Sequence, residues 1–192
     1  MFTGIVQAVG RIMRTDPLEV DCGALAMDDV ALGDSICVQG VCLTVTAMRP
    51  RGFTADVSAE TLRVTTGLDR PGHVNLEKSL AIGDKLGGHL VTGHVDGVGE
   101  VVSRRAGVVV FRLPQGLAKY VATKGSVCVD GVSLTVNRVE GSAFEVNLIP
   151  HTLEVTTLSR LQAGVPVNIE VDLLARYVER LLVEGTGLLC QK

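Results

Sequence analysis

The sequence predicts an all-β protein built from two tandem copies of a small closed barrel, followed by a C-terminal helix. Three observations predict this fold. The chain contains an internal repeat of about 90 residues, apolar and polar residues alternate along short runs, and one apolar stripe near the C-terminus has helical spacing. The 46% of hydrophobic residues and the 22 glycines fit apolar cores joined by many tight turns.

Four sequence blocks return in the same order along the chain. The matched blocks are 3–10 with 92–99, 40–45 with 131–136, 61–66 with 152–157, and 74–77 with 167–170. Five of six residues are identical in the second pair and again in the third pair. The repeat therefore predicts two homologous units, with the join between them near residues 87–89.

Each unit shows the alternation that is typical of a half-buried strand. Val41, Leu43 and Val45 alternate with Cys42 and Thr44, and the second copy repeats this pattern over residues 132–137. Many such short runs, separated by glycine, aspartate or proline turns, favour a small closed barrel, which leaves no exposed sheet edge.

A helix is predicted after the second unit. Asp172 is expected to cap its start, and Gly185 and Gly187 are expected to end it. The helix belongs to neither repeat, so its apolar stripe must pack on a barrel of the same chain or on another chain, and we favour another chain. The stripe consists of Leu174, Tyr177, Val178, Leu181 and Leu182.

Composition excludes several classes of protein. The net charge of −3 and the lack of a basic run argue against nucleic-acid binding. No apolar stretch reaches the ~18 residues of a membrane span, and the first residues lack the features of a signal peptide. Five irregularly spaced cysteines without a CxxC motif indicate free thiols in a reducing cytoplasm. His89 and His94 lack a third ligand, so no metal site is expected.

Some equivalent positions of the two copies differ in their side chains. The differing pairs are Ile5 and His94, Gly33 and Lys124, Gln39 and Asp130, Cys42 and Ser133, and Glu60 and His151. Barrels with the same backbone should bind the same kind of ligand, while changed side chains let the two pockets treat it differently. A reaction between two copies of one molecule needs such a difference.

Residue chemistry alone leaves the role of each candidate open. Cys42 is either a buried filler or a nucleophile, and His94 is either structural or a proton carrier. Lys124 and Ser133 fit an ordinary surface or strand position equally well. From these patterns alone we infer only a duplicated β-barrel with two related polar pockets.

Five motifs resemble riboflavin synthases of the α-subunit type, over about residues 1–182. They lie at residues 1–7, 40–45, 87–95, 130–136 and 148–153. The resemblance implies two tandem homologous six-stranded antiparallel Greek-key barrels plus a C-terminal α-helix that holds a homotrimer together. It places an N-terminal lumazine-binding barrel at 1–89, a C-terminal barrel ending in the start of the trimerisation helix at 90–182, and a tail at 183–192.

The resemblance also implies the reaction. Two molecules of 6,7-dimethyl-8-ribityllumazine bind, one on the N-terminal barrel of one subunit and one on the C-terminal barrel of its neighbour. A four-carbon unit passes between them and yields riboflavin and 5-amino-6-(D-ribitylamino)uracil, the final step of riboflavin biosynthesis. No metal or other cofactor is implied, and an association with lumazine synthase is left open.

The family's site residues carry over onto matching positions. Ser35, Cys42, His94 and Asp130 match the polar residues associated with the chemistry, and Phe2 matches an aromatic that shapes the site. The implied substrate contacts of the first copy are Gly4, Ile5, Val6, Cys42, Leu43, Thr44, Asp56, Val57, Ser58, Ala59, Glu60 and Thr61. Those of the second copy are Gly93, His94, Val95, Lys124, Ser133, Leu134, Thr135, Asn147, Leu148, Ile149, Pro150, His151 and Thr152.

Roles follow from the substrate's chemistry. The 7-methyl group of the lumazine is acidic, and His94 is our candidate for the base that removes its proton. Cys42, Ser35 or a bound water supplies the nucleophile that activates the acceptor molecule. Three positions depart from the family pattern: Gln39 replaces a usual asparagine, Val41 replaces the first of two usual cysteines, and His151 stands where an acidic residue is common.

A rival interpretation comes from lumazine proteins, which share the fold and bind a fluorescent ligand without catalysis. They have generally lost polar active-site residues, whereas Ser35, Cys42, His94 and Lys124 are present here. A purely structural pair of barrels would leave the matched residues of both pockets unexplained. The sequence therefore favours the enzyme.

Overall fold

A computed structural model describes the backbone of residues 1–189 and the side chains of residues 1–183. The strands of the first barrel are β1 (Ala8–Thr15), β2 (Leu18–Asp21), β3 (Ser35–Val38), β4 (Val41–Arg49), β5 (Gly52–Ala55) and β6 (Gly72–Lys78). Those of the second are β7 (Gly97–Arg105), β8 (Val108–Arg112), β9 (Ser126–Val129), β10 (Val132–Glu140), β11 (Ala143–Asn147) and β12 (Pro166–Val171). The helices are α1 (Ala59–Val64), α2 (Pro150–Val155) and α3 (Leu173–Leu189).

Both barrels are closed, antiparallel and connected in the same way. The strand order is β1-β2-β5-β4-β3-β6 in the first barrel and β7-β8-β11-β10-β9-β12 in the second. Even the bulges correspond, since the register shifts between Ile12 and Arg14 in β1 and between Val101 and Ser103 in β7. The predicted pair of six-stranded barrels with a C-terminal helix is confirmed.

Each barrel has a core of its own. Val41, Leu43 and Val45 are at most 5% exposed, whereas the intervening Cys42 and Thr44 are partly or fully exposed, as the alternation predicts. In the second barrel Phe111 and Phe144 stack with ring centroids 5.3 Å apart. The aliphatic face of β4 thus fills the barrel, and its polar face remains available for a ligand.

The two barrels contact each other around a local two-fold axis. Phe2 and Val91 occupy equivalent positions in the two copies and pair with each other, the Phe2 N–H donating to the Val91 carbonyl at 2.8 Å and the Val91 N–H to the Phe2 carbonyl at 3.1 Å. Cys37 and Cys128, a second equivalent pair, are buried beside them. Equivalent residues that contact each other define a two-fold relation.

Two expectations from the composition concern the cysteines and membrane-spanning helices. Cys22, Cys37, Cys42 and Cys128 are free thiols, as predicted, and Cys190 lies outside the described residues. Within residues 1–189 the structure contains no helix that is both long enough and apolar enough to cross a membrane.

Helix α3 begins as predicted but ends later. The Asp172 carboxylate accepts the Leu174 N–H at 3.0 Å and caps the helix. The prediction that Gly185 and Gly187 end it is wrong, because the helix continues to Leu189. A glycine inside a helix costs only about 1 kcal/mol, so its presence does not by itself stop the hydrogen-bond ladder.

The polar side of α3 is attached to the second barrel. Glu179 contacts Lys119 and the Tyr120 hydroxyl, and Arg176 forms an ion pair with Asp96. The apolar stripe is left more than half exposed in the single chain. The exposed residues are Leu174, Tyr177, Val178, Leu181 and Leu182.

Candidate active site

The segment that precedes each barrel crosses to the other barrel. The Gly4 carbonyl accepts the Ser133 N–H of β10 at 2.8 Å, and the Gly93 carbonyl accepts the Cys42 N–H of β4 at 2.9 Å. Each of these strands therefore gains a short neighbouring segment from the opposite copy of the repeat.

This exchange corrects the grouping of the predicted site residues. We define the first site as Ser35, residues 42–44, residues 56–61 and the crossing segment 93–95, and the second site as Lys124, residues 133–135, residues 147–152 and the crossing segment 4–6. The sequence grouped residues 4–6 with the first copy and 93–95 with the second, whereas the backbone hydrogen bonds join residues 4–6 to β10 and residues 93–95 to β4. Val6 packs against the second core and Val95 against the first, because apolar residues of the crossing segments close the opposite barrel.

Strand register brings the other first-site residues together. Ser35 in β3 lies opposite Thr44 in β4. Ala55 pairs with Val45, so Asp56, the next residue along, lies level with Thr44. The following residues turn into α1, which Ser58 caps through its hydroxyl at 3.0 Å from the Thr61 nitrogen.

The first site combines a thiol with an imidazole. Cys42 is half-buried and His94 is exposed. Gly93, the residue before His94, accepts a hydrogen bond from the Cys42 backbone N–H. In the second site Ser133 and Ile5 occupy the corresponding positions. The two sites thus share a backbone arrangement and differ in chemistry.

Phe2 lies behind the first site. Its side chain is 0% exposed and packs with Cys37, Val91 and Cys128, and Cys42 contacts this cluster from the outside. Phe2 therefore supports the strand that carries the thiol.

The second site contains a hydrogen-bonded pair that the sequence motifs did not reveal. His89 Nδ1 lies 2.7 Å from the Ser133 hydroxyl oxygen, and the residue is only 8% exposed. Burial lowers the pKa of His89, so its ring is neutral near pH 7. The signal for this site in the sequence is the glycine that precedes His89. A Cβ at Gly88 would lie 2.1 Å from the Thr3 carbonyl oxygen, so only glycine fits there.

Backbone register also places Lys124 and Asn147 near the end of the second site. The Lys124 N–H donates to the Val136 carbonyl at 2.7 Å, next to Thr135. Asn147 follows Val146, which pairs with Val136. Three predicted contacts, by contrast, have side chains packed in the barrel cores and can offer only their backbone to a ligand: Leu43, Leu134 and Leu148.

Two buried carboxylates hold the crossing segments. Glu170 accepts the N–H groups of Thr92 and Gly93 and the Thr92 hydroxyl, and Glu77 makes the same three bonds to Thr3 and Gly4. The repeated Val-Asn-x-Glu block of the sequence contains both glutamates, but the pattern did not show what they bind.

Asp130 lies at the junction of the barrels, apart from the groups of either site. It is 3% exposed, its carboxylate accepts the Asn168 N–H at 2.8 Å, and its carbonyl accepts the Asn75 amide at 2.8 Å. Burial raises the pKa of the Asp130 carboxyl to about 7. The structure does not bring it together with Ser35, Cys42 and His94.

This burial makes stability depend on pH through Asp130. Between the ordinary pKa of 3.8 and the raised value of about 7, the folded protein keeps a proton that the unfolded chain releases. The unfolding free energy of the wild type should therefore fall, relative to that of Asp130→Asn, as pH rises from about 4 to 7, and the difference should be constant above that range. Urea unfolding at pH 5 and pH 8 measures it.

Exposed Asp28→Asn is the matched control, and it should show no such change between the two pH values. An equal stability difference between wild type and Asp130→Asn at both pH values would show that Asp130 does not carry the proton.

Comparison with known proteins gives the family. The Lumazine binding domain family matches the chain twice, over residues 3–79 and 92–172. The riboflavin synthase of Mycobacterium tuberculosis is 49% identical over 95% of this chain and 98% of its own length, and that of Photobacterium phosphoreum is 46% identical over 95% and 89%. The chain belongs to the riboflavin synthase family. It is an enzyme of this family, and the resemblance seen in the sequence is confirmed.

Solved structures of LumP share the fold of this chain. LumP complexed with riboflavin superposes with a TM-score of 0.76 at 26% identity, covering 89% of this chain and 99% of that one. LumP complexed with 6,7-dimethyl-8-(1'-D-ribityl) lumazine superposes with a TM-score of 0.74 at 24% identity. The sequence is much closer to the synthases than to LumP, which favours catalysis over binding alone.

Proposed function

We propose that the chain binds one molecule of 6,7-dimethyl-8-ribityllumazine in each site and transfers a four-carbon unit between two such molecules. The products are riboflavin and 5-amino-6-(D-ribitylamino)uracil. The observation that carries the proposal is the duplicated site, in which one backbone arrangement presents Cys42 and His94 in one copy and Ser133 and Ile5 in the other. One ligand can therefore be held as donor and the other as acceptor.

His94 is the base that we assign to the first site. It is exposed beside the half-buried Cys42, where a bound ligand can reach both groups. An imidazole nitrogen can accept the proton of the acidic 7-methyl group. Cys42, Ser35 or a bound water supplies the nucleophile, since all three can stand next to the same ligand.

The second site has its own polar pair. Nδ1 of a neutral His89 ring accepts a hydrogen bond from the Ser133 hydroxyl, which makes the hydroxyl oxygen a better acceptor or proton relay for the ligand. This assignment depends on the tautomer in which Nε2 carries the proton. His89 thus joins the predicted residues as a group that shapes the chemistry of the second ligand.

We also propose a homotrimer held together by α3. Ion pairs fasten the polar side of the helix to the second barrel, so its apolar stripe is presented outward, where another chain can cover it. Assembly would let the first site of one chain face the second site of its neighbour. Holding two heterocycles face to face makes the bimolecular step effectively intramolecular, which accelerates it strongly.

The free thiols support a cytoplasmic location.

The test is turnover of the lumazine alone. Purified protein incubated with 6,7-dimethyl-8-ribityllumazine, without added cofactor, is expected to form one riboflavin for each two lumazines consumed, followed by absorbance. His94→Ala is expected to lower kcat by roughly 100-fold, the usual contribution of a positioned acid or base.

His151 is exposed in the second site, and His151→Ala serves as the comparison. This variant is expected to bind the second ligand more weakly and to retain kcat. Tight binding of the lumazine, detected by its fluorescence, without conversion to riboflavin would contradict the proposed reaction and favour a binding protein. Near-normal turnover of His94→Ala would contradict only the assignment of the base.

A further inference from the structure

We propose that Glu170 and Glu77 are positioning residues that each control one site, Glu170 the first and Glu77 the second. Neither residue is a substrate contact in this assignment. The inference rests on the two-site reaction proposed above, and it adds that occupancy of each site depends on one carboxylate buried on the far side of its crossing segment.

The three hydrogen bonds of each carboxylate are nearly identical in the two copies. Glu170 accepts the Thr92 N–H at 2.6 Å, the Thr92 hydroxyl at 2.7 Å and the Gly93 N–H at 2.9 Å. Glu77 accepts the corresponding groups of Thr3 and Gly4 at 2.7, 2.7 and 2.9 Å. The glutamates are only 4% and 3% exposed, so these bonds are shielded from water.

Each crossing segment is therefore anchored from two sides at a single glycine. The Gly93 N–H binds Glu170, while its carbonyl accepts the N–H of Cys42 in the other barrel. His94 follows immediately, so its backbone position relative to the thiol is set by these two bonds. Gly4 is held in the same way between Glu77 and Ser133.

The carboxylate form is required because both of its oxygens accept. In Glu170 one oxygen accepts the two donors of Thr92 and the other accepts the Gly93 N–H. A glutamine has the same volume, but its amide nitrogen can only donate, so one backbone N–H loses its acceptor and is left unsatisfied. Glu→Gln should thus displace the segment without creating a cavity.

The experiment compares Glu170→Gln and Glu77→Gln with the control Glu140→Gln, whose carboxylate is exposed at the end of β10. Riboflavin binding is measured by equilibrium dialysis, and occupancy of the first site by the protection of Cys42 from iodoacetamide, read by peptide mass spectrometry. Cys37 and Cys128 are buried, so labelling of the Cys42 peptide reports on the first site.

The expected results differ between the two variants. Glu170→Gln should weaken one of two riboflavin sites by about tenfold or more and lose protection of Cys42, whereas Glu77→Gln should weaken one site and keep that protection. Turnover should fall in both, since the reaction uses both sites. If a glutamine variant does not fold, Thr92→Val removes only the hydroxyl donor and should reproduce the loss at the first site, while Thr92→Ser should restore it.

If each glutamine variant weakens both sites equally, or leaves both unchanged, and the wild type still binds two ligands and forms riboflavin, the inference is overturned. A wild type that neither binds riboflavin at two sites nor converts the lumazine would instead overturn the proposed function. Loss of Cys42 protection in Glu77→Gln but not in Glu170→Gln would show that the segments are assigned to the wrong sites.

Discussion

Replacing Gly93 with alanine is expected to abolish riboflavin formation and to lower the unfolding free energy by about 2–4 kcal/mol. Gly93 has a φ of +78°, in the left-handed region that side chains disfavour. A Cβ at this position would lie 2.6 Å from the Cys42 Cβ and 2.7 Å from the Cys42 nitrogen, which no relaxation of a flexible side-chain tip can relieve. The segment must move away from β4, and it takes His94 with it. Turnover assays and urea unfolding measure the two effects.

Gly72→Ala is the matched control. A Cβ added at Gly72 would have no atom within 4 Å, and the backbone there is not left-handed, so alanine should leave activity and stability close to those of the wild type. Gly4→Ala places the same clash against Ser133 at 2.6 Å and should disable the second site instead. If Gly93→Ala kept more than half of the wild-type turnover, close contact between the crossing segment and β4 would not be needed for the reaction.

Leu181→Glu is expected to convert the proposed trimer into monomers and to abolish turnover while each chain keeps its fold. Leu181 is 72% exposed in the single chain, so a carboxylate there costs the monomer little. In an assembly the same position would be covered by another helix, and burying an unpaired charge costs several kcal/mol. Size-exclusion chromatography with light scattering gives the mass, and circular dichroism checks the fold.

The control for this change is Met13→Glu, because Met13 in β1 is 53% exposed and lies outside the stripe. It should leave both mass and turnover unchanged. A Leu181→Glu variant that remained a trimer, or a monomer that still formed riboflavin at the wild-type rate, would show that α3 is not what brings two sites together.

The fold could be predicted because its signals are local or repeated. Val41, Leu43 and Val45 alternate with polar residues over a few positions, and this period follows from the geometry of a strand whatever its neighbours are. The repeat then predicted that the second copy would have the same strand order, as β10 and its neighbours do. The helix start at Asp172 was equally local, since a cap bonds only to the first turn.

The arrangement of the sites could not be predicted in the same way. Gly93 and Cys42 are 51 positions apart, and nothing in either motif indicates that their backbones are hydrogen-bonded. The repeat suggested that each leading segment stays with its own copy, because equivalence between two copies does not reveal that these segments are exchanged. His89 was overlooked for a related reason, since its partner Ser133 is 44 positions away and no motif links the two.

Asp130 illustrates the opposite case. The family motif marks its position in the sequence, but only the structure shows a carboxyl buried between the barrels and bonded to Asn168. Burial and hydrogen bonds of this kind depend on residues that are distant in sequence, so a motif identifies the residue without its environment.

Periodicity, repetition and motifs are properties of neighbouring residues, and they were enough to predict the duplicated barrels, the helix with its apolar stripe and the membership of the riboflavin synthase family. Which residues share a site became known only from the three-dimensional arrangement, which places His94 with Cys42 and His89 with Ser133. Hydrogen bonds across the local two-fold axis join segments of different copies, and no local pattern of side chains encodes such a pairing.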